Sequence, residues 1–328
     1  LTLGETPPAT VGTEAFLYCP TSRTLTIQGS LDSQAVAVAK YKAVEDGNTG
    51  DELWYGWTLP NIINESYAVY DGSTFYAATK ATPTTATSEE ITDKKTINHL
   101  YIKGESVPQS LMYDWKSTGN TTLKTVTCAD TVTTIGNDAF YDCKSLTSAN
   151  LPKATSIGEQ AFNGCTSLKS VEMSSATTIG NDAFFGCTSL ASVALPEATS
   201  LDNRVFSGCI AITSAQLPKV TTIGLEAFSG CASLESVTMP KVTDIGEGAF
   251  SGCTKLASVE MPSATTIGVG AFSGCTALAS ATMPNATTIG ASAFSGCTSL
   301  ASVEMPSATT IDNNAFYNCA KLASVAMP

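Results

Sequence analysis

A 22-residue period constrains this chain more than any other feature. One copy reads Ser-Val-Glu-Met-Pro-Ser-Ala-Thr-Thr-Ile-Gly-Val-Gly-Ala-Phe-Ser-Gly-Cys-Thr-Ala-Leu-Ala, from Ser258 to Ala279. Its Phe272 recurs as Phe140, Phe162, Phe184, Phe206, Phe228, Phe250, Phe294 and Phe316, nine copies without an insertion. A Cys follows each Phe by three residues, from Cys143 to Cys319. A fixed period of this size marks a solenoid, in which each unit buries its apolar face only against its neighbours.

The faces of one copy can be assigned. Leu168, Val171, Met173, Ile179, Ala183, Phe184 and Cys187 form the inward set. Glu172 lies between Val171 and Met173, so it points outward from a short strand. Ile179 and Gly180 end a second extended piece. Asn181 to Gly186 is expected to form a tight helical turn, with Gly180 and Gly186 supplying unusual backbone angles. Pro follows the first strand in every copy but one, where Ser174 stands instead; lacking an N–H, it stops the ladder there. Two hydroxyl rows accompany the pattern, Ser148 to Ser324 and Thr155 to Thr309. They read either as a surface for sugars or ice, or as groups that satisfy the backbone where the coil turns. Their uniformity favours the structural reading.

Before residue 123 the pattern is worn. Val11 to Cys19 keeps a trace of the motif, and Thr24 to Ile27 reads as a strand. Ala35 to Ala39 suggests another strand. Tyr67 to Tyr76, with Asp71-Gly72 between aromatic-rich arms, is a hairpin signal. Val107 to Trp115 is expected to supply a short helix in a degenerate coil covering 99–122. Terminal repeats of solenoids are atypical because they cap the core. Residues 1–122 are therefore read as an N-terminal capping module with an insertion, and 123–328 as the regular solenoid. The chain opens without Met and stops in mid-repeat, which reads as a piece of something longer, its C-terminal cover missing.

Charge narrows the function. The net charge is −12, charged residues make up 14 %, and Met261 to Val303 carries none. No basic run exists, so the electrostatic footprint of a nucleic-acid binder is missing. No apolar run approaches the ~18 residues of a membrane span. Of eleven cysteines, nine stack at one position of the repeat. Coils ~4.8 Å apart with parallel side chains disfavour the closer, twisted geometry of a disulfide. They read as buried free thiols acting as small apolar spacers. No His and no Cys-x-x-Cys accompany them, so no metal or cofactor is expected.

The unit then becomes familiar. Ile267-Gly268-Val269-Gly270-Ala271-Phe272-Ser273-Gly274-Cys275-Thr276-Ala277-Leu278 matches, at every fixed position, the Ile-Gly-x-x-Ala-Phe-x-x-Cys-x-x-Leu signature of the BspA-like, or Treponema-type, leucine-rich repeat, which the chain resembles over 120–328. Departures are mild: Asp202 and Asp312 replace Gly, Val205 replaces Ala, Ile212 replaces Leu. The resemblance implies a right-handed α/β solenoid of 22-residue coils, short strands plus short helical turns; the irregular β-rich N-terminal cap, read above from the sequence itself, completes the expected fold. It also implies a secreted or cell-surface bacterial protein that adheres to a host matrix protein, a cell-surface protein or a glycan, without membrane insertion of this part.

The residues support three functions of different kinds. For adhesion through the solenoid face, the outward strand positions would carry the ligand: Glu172, Gln216, Thr238, Glu260, Thr282 and Glu304. A merely solvated face explains any one of them equally well. For a passive spacer displaying another domain, the near-uniform copies are the support. For carbohydrate binding, Trp54, Tyr55 and Trp57 could stack on sugar rings, although core packing explains such clusters more often. Catalysis is not expected. The lone His99 precedes an apparent strand and reads as structural. Glu172, Glu260 and Glu304 are four and two coils apart, roughly 19 and 10 Å, wider than the pair of a retaining glycosidase.

Overall fold

Each coil has three sides, and the sequence accounts for two of them directly. The computed structural model describes residues 66–78, 82–86, 90–92, 94, 97–112 and 122–328, with the backbone of 2–3 and 26–27. Coils are named below by their core Phe. In the Phe184 coil the first side is the strand Ser170–Glu172 and the second is Thr178–Ile179. Both stack in parallel on the equivalent residues of the coil before: Ser170 on Ser148, Val171 on Ala149, Glu172 on Asn150, Thr178 on Ser156. Parallel pairing in this register places every inward side chain on its own copy, which is what a 22-residue period without slips requires.

The third side is not helical, contrary to the sequence expectation. Along it, N–H groups alternate between two kinds of partner. Ala183 and Phe185 donate within their own coil, to Gly180 and Asp182, at 3.2 and 3.0 Å. Asp182, Phe184 and Gly186 donate to the next coil, Phe184 reaching the Val205 carbonyl at 2.9 Å. Asp182 and Gly186 have φ of 55° and 67°. Two left-handed residues within six rule out a helix and leave a chain of turns. Gly180 plays a different part from the one expected, since its φ is not left-handed. A Cβ there would lie 2.8 Å from the Glu159 nitrogen of the coil before, and at Gly158, Gly224 and Gly268 the clearance is 2.6 Å. The coils touch backbone to backbone along this row.

At the N-terminal end the expected hairpin forms between Tyr67–Tyr70 and Phe75–Ala78. The Asp71 carboxylate accepts the N–H groups of Ser73 and Thr74, both at 2.9 Å, and fixes the turn. Tyr67–Tyr70 then pairs in parallel with His99–Ile102, which pairs with Thr125–Cys128 and so with the first regular coil. Ser106–Val107 is a strand paired with Thr134–Ile135, and 108–112 continue as turns and bends rather than as the helix expected there. The alternating burial around Val107, which faces inward beside Ile135, explains the strand. Thr26–Ile27 is a strand, as read, paired with Thr2–Leu3. The strand expected at 35–39 lies outside the described residues.

The core is a column of rings. From Phe140 to Phe316 neighbouring phenyl centroids are 5.1–5.4 Å apart, and the planes lie within 23° of parallel. Each fully buried Phe contributes about 1.5–3 kcal/mol of transfer free energy. Beside the rings runs the thiol row, free of disulfides as read. The thiols do more than fill space. Cys165 donates its S–H to the Phe140 carbonyl at 3.2 Å, and the bond repeats at each coil up to Cys319 and Phe294. Each such carbonyl therefore takes an N–H from its own coil and a thiol from the next, for example Cys187 N–H at 3.2 Å and Cys209 Sγ at 3.1 Å on Phe184.

Phe228→Ala removes a ring stacked on both sides and should cost about 3–5 kcal/mol. Phe316→Ala, where the ring is only partly covered, should cost less. Gly246→Ala places a methyl 2.7 Å from the Gly224 backbone and should cost about 1–3 kcal/mol. Urea denaturation of the three variants would rank them.

Candidate binding face

The first sheet presents the outward positions singled out from the sequence. Glu172, Gln216, Thr238, Glu260 and Glu304 are exposed, and Thr282 is half-buried. Registration brings Glu260, Thr282 and Glu304 side by side on successive strands. Gln216 and Thr238 are likewise adjacent, while Glu172 neighbours Asn150. The structure does not bring all six into one ladder. The first sheet is divided into three blocks, with breaks after Ser170–Glu172 and after Ser236–Thr238.

Two residues before each of these positions stands the Ser row, on the same outward face. Here the two hydroxyl rows part company. Thr155, Thr177, Thr221, Thr243, Thr265, Thr287 and Thr309 each donate to the carbonyl of the Thr one coil back, at 3.0–3.2 Å. That is the structural role expected of them. Among the described residues the Ser hydroxyls from Ser148 to Ser324 make no such bond, and they lie exposed or half-buried along the strand face. The expectation that both rows serve the backbone holds only for Thr, because each Ser opens a strand and points outward from it, whereas each Thr sits just before its strand, where the coil turns.

Other candidates fall away from this face or from view. Trp54, Tyr55 and Trp57 lie outside the described residues. His99 stacks on Tyr67, with ring centroids 4.5 Å apart, and its Nδ1 lies 2.8 Å from the Thr125 hydroxyl. It is held as a structural side chain. Among the described residues no group of three His, Cys, Asp or Glu is placed to share a metal ion, and no helix is long and apolar enough to cross a membrane. A polar ladder that sequence reading missed runs on the turn side. The Asn181 side-chain oxygen accepts the Asn203 N–H at 3.0 Å, and Asn203 accepts from Leu225 at 2.9 Å. The signal was present in the recurring Asn after Ile-Gly and Leu-Asp.

The thiol column is chemically quiet. Burial raises the thiol pKa well above its ordinary value near 9 at Cys165, Cys187, Cys231 and Cys275, and to about 12 at Cys253 and Cys297. The nucleophile is the thiolate, so these groups resist oxidants and alkylating agents while the coils are closed. Their pKa values are raised on folding, so the stability they contribute is complete below pH 9 and is lost as pH climbs toward 12. Thermal denaturation between pH 7 and 11 should show a falling melting temperature above pH 9. Within the column, native protein should react with a disulfide reagent first at Cys319, its half-exposed member.

Comparison with known proteins agrees with this architecture. The family model described as BspA type leucine rich repeat region matches residues 118–232 and 199–323, with six copies. No curated protein matches. Among solved structures, a leucine-rich repeat protein from Bacteroides ovatus is 24 % identical with a TM-score of 0.54, over 82 % of this chain and 76 % of that one. A leucine rich cell surface protein from Faecalibacterium prausnitzii is 26 % identical over 79 % of this chain and 94 % of that one, with a TM-score of 0.39. The T. pallidum leucine rich repeat protein is 23 % identical over 61 % and 78 %, at 0.36.

Proposed function

Because this chain belongs to the BspA type leucine-rich repeat family, we propose that it is a non-catalytic binding module of a bacterial surface, recognising a macromolecule of a host or a neighbouring cell. The outward face of the first sheet is the recognition surface. One observation carries the reading: the inward positions and the Thr, Cys and Phe columns repeat almost without change, while the exposed positions beside the unbonded Ser row vary from coil to coil. A scaffold held constant beneath a variable exposed row is how repeat proteins build extended binding surfaces. The acidic members Glu260 and Glu304 flank Thr282 on adjacent strands and favour a partner that offers cations or hydrogen-bond donors there.

A passive spacer is the second reading, favoured by the uncharged and nearly uniform stretch from Met261 to Val303. The two differ in one experiment. The protein is applied to arrays of extracellular-matrix proteins and glycans, beside a Glu260→Lys, Glu304→Lys double variant and a Trp54→Ala, Trp57→Ala double variant. The binding reading expects a signal that the Glu pair lowers at least about tenfold, the order expected when hot-spot contacts are lost. A signal lost only with the Trp pair moves recognition to the N-terminal part. Absence of binding by the folded wild-type protein leaves the spacer.

A further inference from the structure

We infer that the solenoid carries a built-in hinge between the Phe184 and Phe206 coils, opening on both strand sides and held shut on the turn side, with Asp202 as the residue that wedges it. The hinge stands whether or not the strand face binds a partner.

The first observation is a gap in the hydrogen bonding. In every other coil from the Phe162 coil onward the Thr of the second side donates its N–H to the Thr one coil back, as Thr177 does to Thr155 and Thr221 to Thr199, at 2.8 Å. The residue after Ile or Leu does the same, as Gly180 does to Ile157 and Gly224 to Leu201, at 2.9 Å. Between the Phe184 and Phe206 coils these bonds are missing: neither Thr199 nor Asp202 donates across to Thr177 or Ile179. The Thr199 hydroxyl also lacks the bond its counterparts make. Both sheets end here, the first between Ser170–Glu172 and Ser192–Ala194, the second between Thr178–Ile179 and Ser200–Leu201; on the first side one bond still crosses, from the Ala191 N–H to the Lys169 carbonyl at 3.2 Å. Elsewhere along the solenoid only the first sheet is interrupted, after Ser236–Thr238, while the second runs through.

Solvent access marks the same place. The inward residue of each first-side strand is sealed at 3 % exposure or less at Ala149, Val193, Ala215, Val259, Ala281 and Val303. Val171 is only partly buried, in the company of Val237 at the other break and of Val325 in the last coil. Val171 is thus less covered than its counterparts within a block, while Phe184 and Phe206 beneath it stay fully buried.

The cause lies in the glycine row. Coils meet there with 2.6–2.8 Å of room for a Cβ, and the Phe206 coil brings Asp202 to that position instead of Gly. A Cβ cannot occupy such a gap, so the coil stands off. Val205, larger than the Ala of the other copies, adds to the displacement from inside. The rings stay stacked across the seam, with Phe184 and Phe206 5.4 Å apart, as are Phe294 and Phe316, where Asp312 makes the same replacement. Asp312 keeps its ladder bond to Ile289 at 2.9 Å. That coil keeps the small Ala315 where the Phe206 coil has Val205, so only at Asp202 do both replacements act together.

The turn side stays closed and forms the axis. Asp182, Phe184 and Gly186 all donate across to Asn203, Val205 and Ser207 at 2.9–3.0 Å. Asn203 N–H bonds the Asn181 side chain, and Arg204 pairs with the nearly buried Asp182 carboxylate at 2.8 Å. Bending about this line swings two blocks of the first sheet apart or together and so changes the curvature of the strand face.

Hydrogen exchange of the whole chain tests the inference. The Thr199 and Asp202 amides should exchange at least about tenfold faster than Thr221 and Gly224, since local opening sets the rate. Asp202→Gly, which restores the residue of the other copies, should slow both toward their neighbours while leaving Phe184 and Gly186 unchanged. A pair of spin labels at the exposed positions 172 and 194 should give a distance distribution that narrows in the same variant. Exchange at Thr199 and Asp202 as slow as at Thr221 and Gly224 overturns the hinge. Fast exchange that Asp202→Gly leaves unaltered overturns the assignment to Asp202.

Discussion

Hydrogen-bonded parallel strands hold neighbouring backbones about 4.8 Å apart, while the stacked phenyl rings of this column settle at 5.1–5.4 Å. Every coil has to satisfy both distances at once, on three sides, for nine turns of the chain. The glycine row shows how little slack remains, because a single Cβ would press against the backbone of the coil before. The thiol row shows how the small mismatch is used: a Cys side chain is short enough to fit beside the ring and long enough to reach the carbonyl of the preceding Phe. Ser would reach less far and, were it left unpaired, would carry a costlier polar group into the core. Stability is therefore local in a strict sense, each coil depending on the two beside it.

That dependence explains which functions suit the molecule. In the repeat each side chain meets mainly its own copies from neighbouring coils, an arrangement that favours the proposed binding role over a convergent catalytic site. What the architecture multiplies is area. A row such as Glu260, Thr282 and Glu304 can be altered one coil at a time without disturbing the columns beneath, so the outer face is free to match a partner while the inner one cannot change.

Much of this was legible in the sequence, for a physical reason. A strict period leaves one consistent way to bury Phe184, Ile179 and Leu168, and the register of every strand follows from it. The third side differs from the expected helical turn because a short segment bounded by glycines suits a capped turn locally, whereas its N–H groups are claimed by the next coil, as between Phe184 and Val205. The Ser and Thr rows were indistinguishable as patterns, since uniformity says nothing about which hydroxyl lies near a carbonyl. Asp202 was visible as a departure from Gly, but its effect depends on a clearance of tenths of an ångström that no pattern records. Of the candidate site, the exposure of Glu172, Gln216 and Glu260 followed from alternation; the division of their sheet into blocks did not.

The sameness of the two flat ends of each coil has an evolutionary consequence. Where neighbouring copies agree in their columns, as from Phe250 to Phe294, the surface exposed by excising one coil fits the surface exposed on the next. Unequal recombination between such copies can lengthen or shorten the array by whole turns and return a packed protein each time. The Phe206 coil, whose Asp202 face does not match its neighbours, is not interchangeable in this way. Length is thus a heritable variable over the uniform stretch and a fixed quantity where the columns are interrupted.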